Sequence, residues 1–132
     1  MGMFLSLDEL HRILFVRFEG VITDAVLLER FEQVREWLRI HGPVATISDF
    51  SDVSSFEVTA AGVEHLASSA PLVPDEYLRI VVAPQDESYG MSRMFEMMGS
   101  TTRNRVDIAR TRTEAYKIAG IENPQPHPIL YW

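Results

Sequence analysis

Two short runs with almost no polarity constrain the fold more tightly than any other feature of the chain. VATIS at 44–48 and YLRIVVA at 77–83 lack the alternation of a half-solvated strand, and a strand that is apolar on both sides must be covered on both sides. Helical stripes surround them. Leu27, Phe31, Val34 and Leu38 recur at steps of four, three and four, while Met91, Met94, Phe95 and Met98 stand at i, i+3, i+4 and i+7. Each set gives one buried helix face. Strand and helix in alternation build a mostly parallel sheet through right-handed crossovers.

The flanking segments complete the pattern. MFLSL and RILFVRFEG read as strands separated by residues 8–11, short enough for an antiparallel hairpin, with Gly20 closing the second. Thr23 then caps a helix with Asp24 in its first turn, and Gly42 with Pro43 ends it. A second helix is expected over about 55–69 and a third after Pro84, ending at Gly99. Val106 and Ile108 alternate with Arg105 and Asp107 as a strand, and Thr111 with Glu114 forms a capping box for a last helix ending near Gly120. The expected fold class is therefore α/β: a mostly parallel five-stranded sheet with an N-terminal antiparallel hairpin and about four helices, in a single domain over 1–120. The tail at 121–132 carries Pro124, Pro126 and Pro128 and is expected to be extended, its PILYW end docking on the body.

Composition removes several functional classes. The 132 residues include no cysteine, which excludes disulfides, thiol catalysis and thiolate metal sites and suits the reducing cytoplasm expected as the compartment. A net charge of −7 repels phosphate backbones, so nucleic acid is not an expected partner. The densest basic stretch, RNRVDIARTR, places Arg103, Arg105, Arg110 and Arg112 around a strand as a solvated sheet end. No apolar run reaches the roughly 18 residues of a membrane helix, and the opening segment lacks the basic region of an export signal. Gly2 and Ser6 fit the myristoylation pattern, which is short enough to recur by chance.

Residues 49–55, DFSDVSS, leave the carboxyl end of the third strand, where open α/β sheets collect functional groups. Local structure accounts for most of them: Ser54 and Glu57 fit a capping box, Val53 and Val58 a hydrophobic staple, and Asp49 is placed to accept loop amides. Asp49 and Asp52 lack a third carboxylate before Glu57, so no metal centre is expected. GMSRM around Ser92 lacks the second glycine of G-x-S-x-G. The four histidines fit no zinc spacing, and neither a P-loop nor a dinucleotide fingerprint is present. No cofactor is expected, and the chain is not read as an enzyme. The mark of an enzyme would be Asp49 and Asp52 converging on a pocket that holds a metal.

LFVRFEGVIT, TISDFSDVSSF, RIVVAPQDESYGMSRMFEMM and TRTEAYKIAG, in that order across about residues 10–119, resemble the SpoIIAA-like or STAS-like family, in particular its small stand-alone bacterial STAS/SEC14-like branch. The resemblance implies a sheet with β-α superhelical winding. It also implies a serine acceptor for a kinase in a D-S-S-G segment, which falls here on Glu57, Val58, Thr59 and Ala60. Val58 cannot be phosphorylated, so Ser54, Ser55 and Thr59 are the candidate acceptors, with a helix N-terminus favouring the added charge.

The SEC14 half of the label implies lipid carriage, for which five strands and four helices leave little enclosed volume; a shallow apolar site is the alternative. MSRMFEMM holds four of the six methionines, side chains that adapt to changeable partners. Met97 lies off the core stripe, Arg93 beside it is the candidate specificity contact, and Tyr89 lies on the same helix. The leading expectation is a non-enzymatic protein-interaction or regulatory module, phosphorylation-linked, with an unidentified protein partner or a second copy of itself. A carrier or sensor of a small apolar ligand or lipid is the alternative.

Overall fold

The computed structural model describes residues 2–102 and 106–131. The elements are β1 (Met3–Asp8), β2 (Ile13–Thr23), α1 (Asp24–His41), β3 (Ala45–Glu57), α2 (Ala60–Ser68), β4 (Arg79–Val82), α3 (Asp86–Thr102), β5 (Asp107–Ala109), α4 (Arg112–Ala119) and β6 (His127–Tyr131). They form one sheet of order β5-β4-β3-β2-β1-β6. β2, β3, β4 and β5 pair in parallel, while β1 is antiparallel to both β2 and β6.

Three crossovers in a row, β2-α1-β3, β3-α2-β4 and β4-α3-β5, each step to the next strand in the same direction. Crossovers of one hand that step one way leave their helices on one face. Leu27, Phe31, Val34, Trp37 and Leu38 of α1, Val63 and Ala67 of α2 and Phe95 of α3 accordingly bury against Leu14, Val16, Phe18 and Phe50. Phe18, fully buried, stacks on Phe50 at 4.8 Å and lies 5.5 Å from Phe31. The opposite face carries Ile13, Ile47, Ile80 and Val82, covered by Ala115 of α4 and Ile121. Alternate residues of the parallel strands thus feed two cores, as the period of two requires.

The sheet has six strands, not five. Residues 127–131 of the tail add β6 to the free edge of β1, with Leu7 opposite His127 and Ser6 opposite Pro128. Proline cannot donate to a ladder, and an edge strand is where that loss costs least. Gly20 does not close β2; it takes a φ of 80° inside the strand, beside a register shift, and pairing continues to Thr23. α3 runs past Gly99 to Thr102. The helix expected over 55–69 begins instead at Ala60, because residues 52–57 pair with β2 as strand. Ser54 and Glu57 therefore form no capping box, nor Val53 and Val58 a staple. α1 and α4 begin and end as expected: Thr23 accepts from the Val26 amide, Thr111 from that of Glu114, and Gly42 and Gly120 close them.

One buried carboxylate ties both ends of the chain together. Asp8, fully buried, accepts from the His11 amide at 3.0 Å, from the Gln125 amide at 2.8 Å, and lies 2.8 Å from the His11 ring nitrogen Nδ1. Burial pushes its pKa up, but these hydrogen bonds and the histidine outweigh burial and leave it below the usual carboxylate value. A depressed folded pKa means stabilisation that is complete above the unfolded pKa and disappears as pH falls through the folded one. Asp8→Asn should cost about 1–3 kcal/mol at neutral pH in denaturant unfolding. The gap from the parent protein should close below about pH 4; a gap independent of pH would contradict this role.

Candidate functional site

β3 outruns its neighbour on one side. β4 pairs only with Thr46–Asp49, whereas β2 follows β3 to Glu57. Between the pairs Arg17↔Asp49 and Thr23↔Glu57, β3 holds two more residues than β2, taken up at two register shifts. Each extra residue turns the following side chains to the other face. After the first shift Asp52 joins Asp49 on the α4 side, while Val53 and then Phe56 pack with Phe50 on the α1 side.

The carboxylates meet two arginines. Asp49, nearly buried, accepts from the Ser51 amide at 2.9 Å and the Ser51 hydroxyl at 2.5 Å through Oδ1. Its Oδ2 accepts from Arg112 Nε at 2.6 Å. Arg112 Nη2 donates to Asp52 Oδ2 at 3.1 Å, and Arg17 Nε lies 3.5 Å from the same oxygen. The Arg17 guanidinium also covers the Phe4 ring at 4.7 Å. Hydrogen bonding to Asp49, opposed by burial and helped by both carboxylate charges, raises the Arg112 pKa. Burial raises the Tyr116 hydroxyl, with the Arg112 charge opposing and that of Asp49 adding.

This chain borders a cleft of about 290 Å³ walled by Phe4, Phe15, Tyr116, Pro126 and Pro128. Phe15 and Tyr116 meet edge to face at 6.2 Å. Both carboxylates are committed to guanidinium groups, an arrangement suited to fixed electrostatics rather than to proton transfer. Among the described residues no three His, Asp or Glu side chains are grouped as a metal ion would need, and no helix is long and apolar enough to cross a membrane.

The other singled-out residues lie elsewhere. Ser54 is exposed, and the Ser55 hydroxyl donates to Glu57 at 2.8 Å. Both line a hollow of about 200 Å³ with Gln85 and Glu87 of the α3 entry. Thr59 caps α2: its hydroxyl accepts from the Gly62 amide at 3.2 Å and donates to Asp24 at 2.6 Å, while its amide donates to Asp24 at 2.8 Å. Those two bonds from Thr59 lower the Asp24 pKa. On α3, Tyr89 lies 4.2 Å beneath the Arg110 guanidinium, Arg93 pairs with Glu96 at 3.0 Å, and Met97 is 68% exposed. The structure thus joins Ser54 and Ser55 to the start of α3, places Arg93 and Met97 farther along it, and sets Asp49 apart on the opposite face of the sheet.

Sequence reasoning missed Arg17 and the role of Arg112. Arg112 and Arg110 are not merely a solvated sheet end, since one ties Asp49 to Asp52 and the other bridges Tyr89, Asp86 and the Pro84 carbonyl. Arg103 and Arg105 lie outside the described residues. The available signal was position: Arg112 opens a helix directly after a capping threonine and after β5, at the same sheet end as two strand-exit carboxylates.

Between the sheet and α1–α3 a void of about 40 Å³ remains, bordered by Phe31, Phe50, Phe95 and Arg79. Burial and then the Arg35 charge pull the Arg79 pKa down to about 10. Small-molecule pockets hold roughly 300–1,000 Å³, so this void encloses no acyl chain. The chain matches no protein-family model and no curated protein.

Gly62 reveals how tightly Asp24 is held. A methyl group there would collide with the Asp24 carboxylate, at both Oδ1 and Cγ. Gly62→Ala, although favourable to an isolated helix, should lower the melting temperature. In an Asp24→Ala background the same change should raise it. Equal effects in both backgrounds would disprove the clash.

Proposed function

We propose that the chain is a non-enzymatic, STAS-like interaction or regulatory module, working in the cytoplasm without a cofactor, that engages a protein partner through α3. The observation that carries this reading is the line Tyr89, Arg93 and Met97 at i, i+4 and i+8 on a helix whose other side is anchored by Phe95. Met97 offers a large adaptable side chain to solvent with Arg93 one turn away. A charged rim beside an exposed apolar anchor is the arrangement of many protein interfaces.

The hollow at the α3 entry supports a phosphorylation link. Ser54 is the accessible hydroxyl there, whereas the Thr59 hydroxyl is committed to Asp24 and Gly62. A phosphate on Ser54 would add negative charge beside Glu87 and disturb the contact between β3 and α3. A second reading, the sensing of a small apolar ligand, is favoured by the 290 Å³ cleft on the α4 side.

Affinity capture with the tagged chain in its own host should recover a defined protein, or a second copy of this chain. Met97→Glu and Arg93→Glu should each lose it at least about tenfold, a change of 1.4 kcal/mol, without altering the melting temperature. Recovery unchanged by both substitutions would overturn the proposal, as would a turnover that Asp49→Asn abolishes.

A further inference from the structure

The guanidinium groups around the α4-side cleft keep several N–H donors uncommitted, beside the hydroxyls of Ser6 and Tyr116 and the Asp52 Oδ1 oxygen. Asp49 has one oxygen on Ser51 and the other on Arg112, and Asp52 Oδ2 is shared by Arg112 and Arg17. A guanidinium has five N–H donors. Arg17 spends one on a long 3.5 Å ion pair, leaving both terminal nitrogens uncommitted, and Arg112 engages through Nε and Nη2 only. Both guanidinium groups lie about one Asp52 oxygen, and the side chains of Arg17 and Arg112 are 46% and 43% exposed. A ligand entering this cleft therefore meets the uncommitted terminal nitrogens of Arg17, with Arg112 Nη1 as a further donor, a geometry that suits a carboxylate taken by two parallel bonds on Arg17.

The rest of the cleft is chemically different. Phe15 and Tyr116 form an edge-to-face corner, Pro126 and Pro128 close the far side, and Phe4 lies flat under Arg17. These surfaces suit a flat apolar body, and a volume of about 290 Å³ sits at the small end of ligand pockets. The tail is part of the wall: Pro128 lies in β6, and Gln125 is pinned by Asp8. The cleft is thus a feature of the complete six-stranded sheet, with β6 in place.

We infer that this cleft binds a small aromatic carboxylate, its carboxylate on Arg17 and Arg112 and its ring between Phe15, Tyr116 and Pro128. The inference rests on the ligand-sensing reading above and names its chemistry; it is independent of the α3 surface. Arg17 is the specificity-determining residue, because it holds the freest donors and its removal leaves the Arg112 bridge to Asp49 and Asp52 in place.

The test is titration of the isotope-labelled protein with phenylacetate, benzyl alcohol and benzylamine, followed by amide NMR shifts. Phenylacetate should move the amides of Phe15, Arg17, Arg112 and Tyr116 with a dissociation constant of about 1 mM or tighter. The alcohol and the amine should bind at least about tenfold more weakly. Arg17→Gln should weaken phenylacetate by a similar factor, and Arg17→Lys by less, while leaving benzyl alcohol unaffected. If the alcohol binds as well as the acid, or Arg17→Gln binds the acid as the parent does, the carboxylate assignment fails and the apolar-ligand reading survives. If none of the three probes moves those amides at about 10 mM, both fall together.

Discussion

The parallel pairing of β2 with β3 is the constraint on which the rest of the molecule hangs. These are the two central strands of the sheet, and their register runs from Ile13↔Ala45 to Thr23↔Glu57. The inner half is an ordinary buried ladder. The outer half extends past β4 as a ribbon in which β3 takes up two extra residues. That excess decides what faces where: it brings Asp52 to Arg112, returns Val53 and Phe56 to the main core, and delivers Thr59 to Asp24 at the start of α1. Both candidate surfaces descend from it, since the α4-side cleft needs Asp49 and Asp52 on one face and the α3-side hollow needs Ser54 and Ser55 beside Gln85.

The polar contacts on this frame differ in what they can contribute. The ion pairs of Arg112 and Arg17 are partly solvated, and such pairs contribute about 0–1 kcal/mol each. Their consequence is geometric: they fix the first turn of α4 against β3 and aim donors into the cleft. Asp8 is different because it is fully buried, and burying a carboxylate is tolerable only with its bonds made. It links the hairpin turn to the tail, so the edge strand β6 and the cleft wall formed by Pro126 and Pro128 depend on a residue that lines neither proposed surface.

Much of this architecture is legible in the residues. The apolar runs at 44–48 and 77–83 mark β3 and β4, the Leu27 to Leu38 stripe is the buried face of α1, and Thr23, Thr111, Gly42 and Gly120 cap helices as their chemistry dictates. The largest departure falls at 50–59, where the capping-box reading of Ser54 and Glu57 started a helix too early, and the spacing there has a definite effect. Phe50, Val53 and Phe56 all pack on one core at steps of three, a spacing that imitates a helix. Here a bulge between each pair resets the strand's alternation, so the period of two that marks a half-solvated strand is lost. The tail is extended and docks on the body as expected, but its prolines concealed a sixth strand, since prolines that argue against a central strand are admissible on an edge. The cleft was half legible: Asp49 stands out by its place at a strand exit, but Arg17 and Arg112 are distant in sequence and only the folded sheet joins them.

The most direct test is amide hydrogen exchange across residues 50–59. A parallel strand bonded on one side only protects alternate amides, because successive N–H groups point to opposite edges. The account predicts interrupted protection within 51–57, with slow amides that face β2 separated by fast ones, and continuous protection only from the helical amides that follow Gly62. Uniformly fast exchange through 51–57, or unbroken protection beginning near residue 58 as a helix started at Ser55 would give, would contradict it.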